Sequence, residues 1–393
     1  MESKKVYIIG QGMTKFGEFY HADGSALASE SFYEALKDAN IDKSVIDEII
    51  FGSLVGNELT RTSVAPLTVR NFNLHCPYAR IEAGTASGAA AFRHAYLSVK
   101  SGLMDTIAVI GVEKLSDFVK AETMEQILSG VIDYQYEFEM GATLTSLFAL
   151  LTKAHMNEFD TSLEQLAAVP AKNHENGVNN PKAQFRRAIK IDRFLKAKRI
   201  ADPIGRFDPA TFCDGSATVI LASEEFVKNH GEIQSAVPIL ASTQASDTIA
   251  LHNRESLTEL QATVKAAKQA FSLSNLTPSD ISFAEVHDSF PIGEVLALED
   301  IGFVKKGEGG KAALDGLTSI GGKIPINTSG GLKARGDPFG ATGIAQIIEI
   351  IEQMRGIADK RQIENPQYGL THNVVGTGSS AIVSIFGKDE VKK

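Results

Sequence analysis

The sequence predicts an α/β protein with a duplicated, layered sheet, and three observations carry that prediction. Short apolar runs alternate with amphipathic helical patterns along most of the 393 residues, as expected where helices cover a largely buried sheet. Residues 40–52, NIDKSVIDEIIFG, align without a gap on residues 275–287, NLTPSDISFAEVH. Each segment leaves an amphipathic helix and runs into an apolar strand, which points to an internal repeat. Four glycine-rich or polar turns, at 82–88, 286–290, 330–343 and 372–378, fall at strand ends or helix starts in matching places of the two halves.

The elements follow in order. KVYIIG reads as a first strand, SALASESFYEALKDAN as a helix and DEIIFGSLV as a second strand. ARIEA leads into the helix SGAAAFRHAYLSVKSG, and TIAVIGVEK is the next strand. From about 117 to 203 the pattern changes to helices and irregular polar stretches, the signature of an inserted cap. Its end is basic, with Lys182, Arg186, Arg187, Lys190, Arg193, Lys196, Lys198 and Arg199 opposed by Asp192 alone. Such a run forms a solvated helix face or holds the phosphates of a nucleotide-bearing ligand. Further on, IPINTSGG precedes the long helix GATGIAQIIEIIEQMRG, and YGLTHNVVGTGSSAIVSIFG closes the chain as two strands around a glycine turn.

Composition narrows the chemistry. A hydrophobic content of 43% supports large cores. The net charge of −9 argues against a broad nucleic-acid-binding face. No stretch has the unbroken apolar length of a membrane span, and the N-terminus lacks the apolar core of a signal peptide. A soluble, cytoplasmic protein is expected. Two cysteines, Cys76 and Cys213, provide neither a disulfide framework nor a zinc ribbon, and the nine histidines have no metal-ligand spacing. No metal site is expected.

The turn EAGTASG presents Thr85 at a helix N-terminus, where free N–H groups and the helix dipole favour negative charge. A cysteine in that place would be an activated thiolate. Glycines at 376 and 378 let the backbone approach a ligand, with N–H groups available as an oxyanion hole. In duplicated α/β sheets a ligand binds where loops of both halves meet at strand ends.

EAGTASG, EQLAAVPAKNHENGVNNPKAQFR, VHDSF, NTSGGLKARGDPFGATGIAQ and HNVVGTG carry a family resemblance. Their order and spacing resemble the thiolase superfamily, within it the sterol-carrier-protein-like and archaeal thiolases, over essentially the whole chain. The resemblance implies a thiolase fold: a duplicated five-layered α/β/α/β/α core with an inserted loop domain. It divides the chain into an N-terminal half (residues 1–116 and 204–235), a loop domain (117–203) and a C-terminal half (236–393). It implies coenzyme A or an acyl-CoA as ligand, with no covalently bound cofactor. The ligand would rest on Lys172, Asn173, His174, Arg186, Arg187, Ser329 and Gly330. A homodimer or tetramer is implied, with the strand DTIAVIGVEK pairing across a two-fold axis.

The same resemblance allows the chemistry to be checked by position. The nucleophilic cysteine of such thiolases is Thr85 here. The histidine of the GHP motif is Asp337, and the cysteine of HDCF is Ser289. The histidine of HDCF, an oxyanion donor, remains as His287, beside Gly376 of the oxyanion hole. A thiol with a pKa of about 8.5 ionises after a modest shift, whereas a threonine hydroxyl needs a strong, well-placed base. The retained glycines and the KNH loop are what acyl-CoA binding requires. Two functions follow. One is an acyl-CoA-binding protein without Cys-dependent Claisen chemistry, non-catalytic or a partner subunit, beside an HMG-CoA-synthase-like enzyme or an OB-fold zinc protein. The other is an acyltransferase or C–C lyase with non-standard chemistry. In it His287 and the N–H groups of Thr85 and Gly376 steady an enolate or oxyanion, and Asp337 is the base.

Overall fold

The computed structural model describes residues 4–55, 64–117, 121–231, 233 and 235–388. The chain begins β1 (Val6–Met13), α1 (Gly24–Ala39), β2 (Glu48–Gly52), α2 (Val64–Phe72), β3 (Tyr78–Ile81), α3 (Ser87–Ser101) and β4 (Thr106–Glu113). An inserted segment follows, with α4 (Ala121–Ser129), a π-helical turn at Tyr134–Phe138, α5 (Leu144–Phe159), α6 (Leu163–Val178), α7 (Ile191–Leu195) and the small hairpin β5 (Arg199–Ala201) and β6 (Ile204–Gly205). Then come β7 (Gly215–Ser223), α8 (Glu224–Asn229), β8 (Val237–Ser246), α9 (Gln261–Ser274), β9 (Phe283–Glu285) and α10 (Pro291–Ile301). The chain continues through α11 (Gly309–Leu314), α12 (Gly331–Arg335) and α13 (Thr342–Arg355) to β10 (Tyr368–Val375) and β11 (Ser380–Gly387). No helix among the described residues is long and apolar enough to cross a membrane.

The repeat is visible at the level of single residues. Asp23 caps α1 by accepting from the Ala26 N–H at 2.7 Å, and Leu27, Phe32, Ala35 and Leu36 form its buried stripe. Asn40 ends α1 in the left-handed conformation (φ 54°), and Asn275 ends α9 in the same way (φ 55°). Asparagine tolerates that conformation better than most residues. A single 3₁₀ turn follows each cap, at Lys43–Val45 and Pro278–Asp280, and each leads into a strand, β2 or β9.

Nine strands form one sheet in the order β3-β2-β4-β7-β1-β8-β11-β10-β9. From the centre outwards, β1, β7, β4 and β2 pair antiparallel, antiparallel and parallel, and β8, β11, β10 and β9 repeat that sequence of pairings. The halves join where Val6, Tyr7 and Ile8 face Ile239, Pro238 and Val237. Side chains alternate along each strand. Ile8, Ile107 and Val109 enter one core with Phe92 of α3 and Ile347 of α13, whereas Tyr7, Ala108 and Ile110 enter another with Leu27 and Phe32 of α1. Phe283 and Phe386 of the second half enter the shared α3–α13 core, and their neighbours Ala284 and Ile385 face α9 and α10. The two halves of the sheet therefore enclose the helix pair α3–α13 and carry helices on their outer faces, so the layers run helix, half-sheet, helix pair, half-sheet, helix.

One expectation is corrected. Strand β4 does not offer an edge for pairing with a second copy, because β2 and β7 occupy both of its sides. Its apolar sequence reflects burial on both faces. The strand at this end of the sheet is β3.

The turn after α12 is threaded between the halves by glycines. A Cβ at Gly88, in the first turn of α3, would lie 2.1 Å from the Gly340 carbonyl oxygen, and one at Gly340 would lie 2.4 Å from that of Gly52. Backbone thus packs on backbone where the loop carrying Asp337 meets the helix that follows Thr85. Gly88→Ala is expected to lower the unfolding free energy by about 2–3 kcal/mol, measured by urea denaturation. An unchanged midpoint would contradict this packing.

Candidate active site

Loops leaving the C-terminal ends of β3, β9 and β10 meet the turn after α12 around one cavity of about 340 Å³. Thr85, His287, Ser289, Asp337 and Gly376 all line it. The inserted segment supplies a wall that the sequence did not signal, with Met124, Leu128, Phe138 and Leu144 on it and Phe212 and Phe339 from the core. The few polar groups are set in an apolar enclosure, where their electrostatic effects are strong.

Thr85 is not poised as a nucleophile. Its hydroxyl donates to the Val374 carbonyl at 2.8 Å and accepts from the Gly376 N–H at 3.1 Å. The proton is already committed to a carbonyl that cannot remove it. The Gly376 N–H, assigned to the oxyanion hole, is held by the same hydroxyl. Gly376 itself has φ 52°, and a Cβ there would lie 2.2 Å from the Val131 carbonyl oxygen, so only glycine fits this turn.

Asp337 is 1% exposed, and its Oδ1 accepts from the Thr342 hydroxyl at 2.6 Å. Burial pushes its carboxyl up to about 6, against the opposing effects of the Thr342 hydrogen bond and Arg335. It is thus ionised at neutral pH and more basic than an ordinary carboxylate.

His287 is buried, and burial lowers its pKa to about 3, reinforced by His372 and Arg335. The imidazole is neutral at all ordinary pH values. Nδ1 lies 3.1 Å from Asn373 Nδ2, which also donates to Gln346 Oε1 at 2.9 Å. Ser289 also lines the cavity, and its carbonyl accepts from the Ala210 N–H at 2.8 Å.

None of the seven residues expected to hold coenzyme A lines this cavity. The KNH stretch is no loop but the later part of α6, with side chains turned inwards. Lys172 Nζ pairs with Glu294 at 2.9 Å and donates to the Ile326 carbonyl at 2.7 Å. Asn173 Nδ2 donates to Asp288 at 2.6 Å and to Glu294 at 2.9 Å. Asp288 also accepts from the Leu332 N–H at 2.7 Å, so these contacts brace the loop that presents His287 and Ser289. Glu294 and Asp288 went unremarked in the sequence. The signal for Glu294 was a lone early acid in the otherwise apolar helix start PIGEVLAL. Ser329 donates to Glu285 at 2.6 Å, and Gly330 caps α12 against Gly177.

The basic run is mostly irregular, and only Ile191–Leu195 is helical. Arg186 is exposed and reaches the Val178 carbonyl at 3.4 Å. Arg187, Lys190, Arg193 and Phe207 border an open depression of about 530 Å³, with the Arg193 guanidinium 4.9 Å from the Phe207 ring centre. His174 Nδ1 lies 3.1 Å from the Arg187 carbonyl, and burial, aided by Lys333, lowers its pKa to about 4. It is a neutral donor that holds the chain there. Only Asp208 separates Phe207 of the depression from Pro209 of the cavity wall, so the two lie within about 7 Å of chain.

These layers and this meeting of loops define a thiolase-fold protein. Models of the thiolase N-terminal domain and of the thiolase C-terminal domain-like family match residues 6–225 and 243–388. The chain belongs to the thiolase superfamily. It is 41% identical to the acetyl-CoA acetyltransferase of Methanothermobacter thermautotrophicus, over 98% of this chain and 100% of that protein. It is 31% identical to sterol carrier protein 2 of Bos taurus, over 97% of this chain and 72% of that protein. Among solved structures, the Ltp2–ChsH2(DUF35) aldolase superposes with a TM-score of 0.85 at 22% identity, covering 99% of each chain. Human mitochondrial 3-ketoacyl-CoA thiolase gives 0.74 at 14% identity, covering 98% of this chain and 99% of that one.

Proposed function

We propose that this protein is a C–C lyase acting on a 3-hydroxyacyl-CoA, in the cytoplasm, by a retro-aldol reaction without an acyl-enzyme. The observation that carries this reading is the division of labour in the cavity. The nucleophile position is a threonine whose proton is tied to a carbonyl, while Asp337 keeps a carboxylate with a raised pKa. In the reaction Asp337 takes the proton of the 3-hydroxyl, and the C–O bond becomes a carbonyl. The Cα–Cβ bond breaks, and its electron pair passes into the thioester enolate, whose oxygen the neutral His287 stabilises. The aldehyde or ketone departs. The proton returns to Cα from Asp337, directly or through the Ser289 hydroxyl, leaving a shortened acyl-CoA. No oxidant, metal or free thiol is consumed.

The ligand would lie with its nucleotide end on the depression beside Arg187, Lys190 and Arg193, within a loop domain of residues 117–203, and its thioester in the cavity. Binding of coenzyme A is expected by calorimetry, weakened about tenfold or more when Arg187 and Arg193 are both changed to glutamate, since two phosphate contacts become repulsive. No heat at millimolar ligand would remove this placement. A dimer or tetramer, and a second protein such as an HMG-CoA-synthase-like enzyme or an OB-fold zinc protein, belong to the same proposal. The fold is compatible with an aldolase and with a partner, as the Ltp2–ChsH2(DUF35) aldolase illustrates.

A second reading, a non-catalytic acyl-CoA-binding subunit, is favoured by one observation. The Gly376 N–H is occupied by the Thr85 hydroxyl and so is not free to hold an oxyanion. One experiment separates the readings. Incubation with a 3-hydroxyacyl-CoA should release an aldehyde and a shortened acyl-CoA without added coenzyme A. Binding without cleavage would leave the non-catalytic reading. Efficient thiolysis of acetoacetyl-CoA by free coenzyme A would overturn both.

A further inference from the structure

His287 can assist an enolate only if the ring nitrogen facing the cavity carries the proton, and the fold contains a device that decides this. Gln346 on α13 donates from Nε2 to the His372 carbonyl at 3.2 Å. That carbonyl can only accept, so the amide oxygen Oε1 of Gln346 points the other way, towards Asn373. Asn373 Nδ2 meets Oε1 at 2.9 Å and His287 Nδ1 at 3.1 Å. Gln346, Asn373 and His287 are all buried, at 0%, 1% and 2% exposure, so no bulk water competes for these contacts.

We infer that the chain His372 carbonyl–Gln346–Asn373 fixes His287 in the tautomer protonated at Nε2, and that Gln346 and Asn373 are positioning residues for it. An amide N–H₂ group can only donate, so the nitrogen it faces must be the bare, accepting one. Nδ1 is therefore unprotonated, and the proton sits on Nε2, which has no hydrogen-bond partner among the described residues. The Asn373 oxygen is buried without a partner. Turning the amide over would give that oxygen the His287 N–H, but it would also set it against Gln346 Oε1, oxygen on oxygen. The anchor at the His372 carbonyl prevents Gln346 from turning to compensate. An orphaned acceptor is thus the cost of a defined donor at the cavity. The chain is built from β10 and α13, neither of which supplies a residue to the cavity lining.

The tautomer stands apart from the proposed reaction, and only its consequence for turnover rests on that reading. The test is a long-range ¹H–¹⁵N spectrum of the full chain labelled at histidine, with the His287 signals assigned by their loss in His287→Asn. Wild type should show a bare Nδ1 and a protonated Nε2. In Asn373→Asp a carboxylate replaces the donor, and His287 should become protonated at Nδ1. In Gln346→Met, Asn373 is released and both tautomers should be seen. Turnover of a 3-hydroxyacyl-CoA by Asn373→Asp should fall about 10²–10³-fold in kcat with little change in KM, the usual loss for one oxyanion donor. A wild-type His287 protonated at Nδ1 overturns the inference whatever the variants do, as does an unchanged tautomer in a folded Asn373→Asp. The expected tautomer in a protein that cleaves no hydroxyacyl-CoA would instead refute the proposed function and leave the inference standing.

Discussion

Asp337→Asn should lower kcat for cleavage of a 3-hydroxyacyl-CoA by about 10²–10⁴-fold, the range spanned by a general base. Asparagine keeps the shape of the side chain and an oxygen for the Thr342 hydroxyl, so the loss should appear in turnover with the fold intact. The pH profile provides an independent readout. The base works ionised, and burial places its pKa at about 6. Activity should therefore be level above that pH and fall about tenfold per unit below it, while the neutral His287, with a pKa near 3, adds no step in this range. Thr85→Ala should behave oppositely to Asp337→Asn. It removes no proton acceptor, and it frees the Gly376 N–H that the threonine hydroxyl occupies. Activity indifferent to both substitutions would sink this account of the cavity.

The second large effect concerns recovery of thiolase chemistry. Thr85→Cys alone should leave acetoacetyl-CoA thiolysis close to background. The new thiol gains from the start of α3, but Asp337 shares the cavity and opposes a second negative charge, raising the thiol pKa. Adding Ser289→Cys and Asp337→His supplies the proton shuttle and an activating base together. The triple variant should exceed the single one by at least about 100-fold, because groups that act as a unit give large non-additive effects. Parity between the two, with both folded, would mean that these three positions do not explain the missing chemistry. Activity of the single variant at the level of the triple would contradict the electrostatic argument about Asp337.

The sequence by itself determined the architecture, because its signals are local. Strand and helix periods and the repeated segments that begin at Asn40 and Asn275 all act within a few residues. Each recurs in the structure at the matching place. It also named five of the residues that line one cavity, since the turns carrying them are written in short glycine-rich or polar motifs. What those residues are bonded to was decided only by the tertiary structure. Thr85 finds its partner at Gly376, 291 residues away, and that contact turns an apparent nucleophile position into a filled one. The family resemblance implied that β4 pairs with a second copy, and its apolar sequence suited that role, yet the strand is covered by β2 and β7, because burial leaves the same signature whichever strand provides it. Lys172 and Asn173 looked like ligand contacts, but their charges and amides satisfy Glu294 and Asp288 beneath the site. The proton position on His287 lies furthest from the sequence. It follows from a carbonyl on β10, an amide on α13 and another on β10 meeting in a buried interior, where each group's donor or acceptor character fixes its neighbour's.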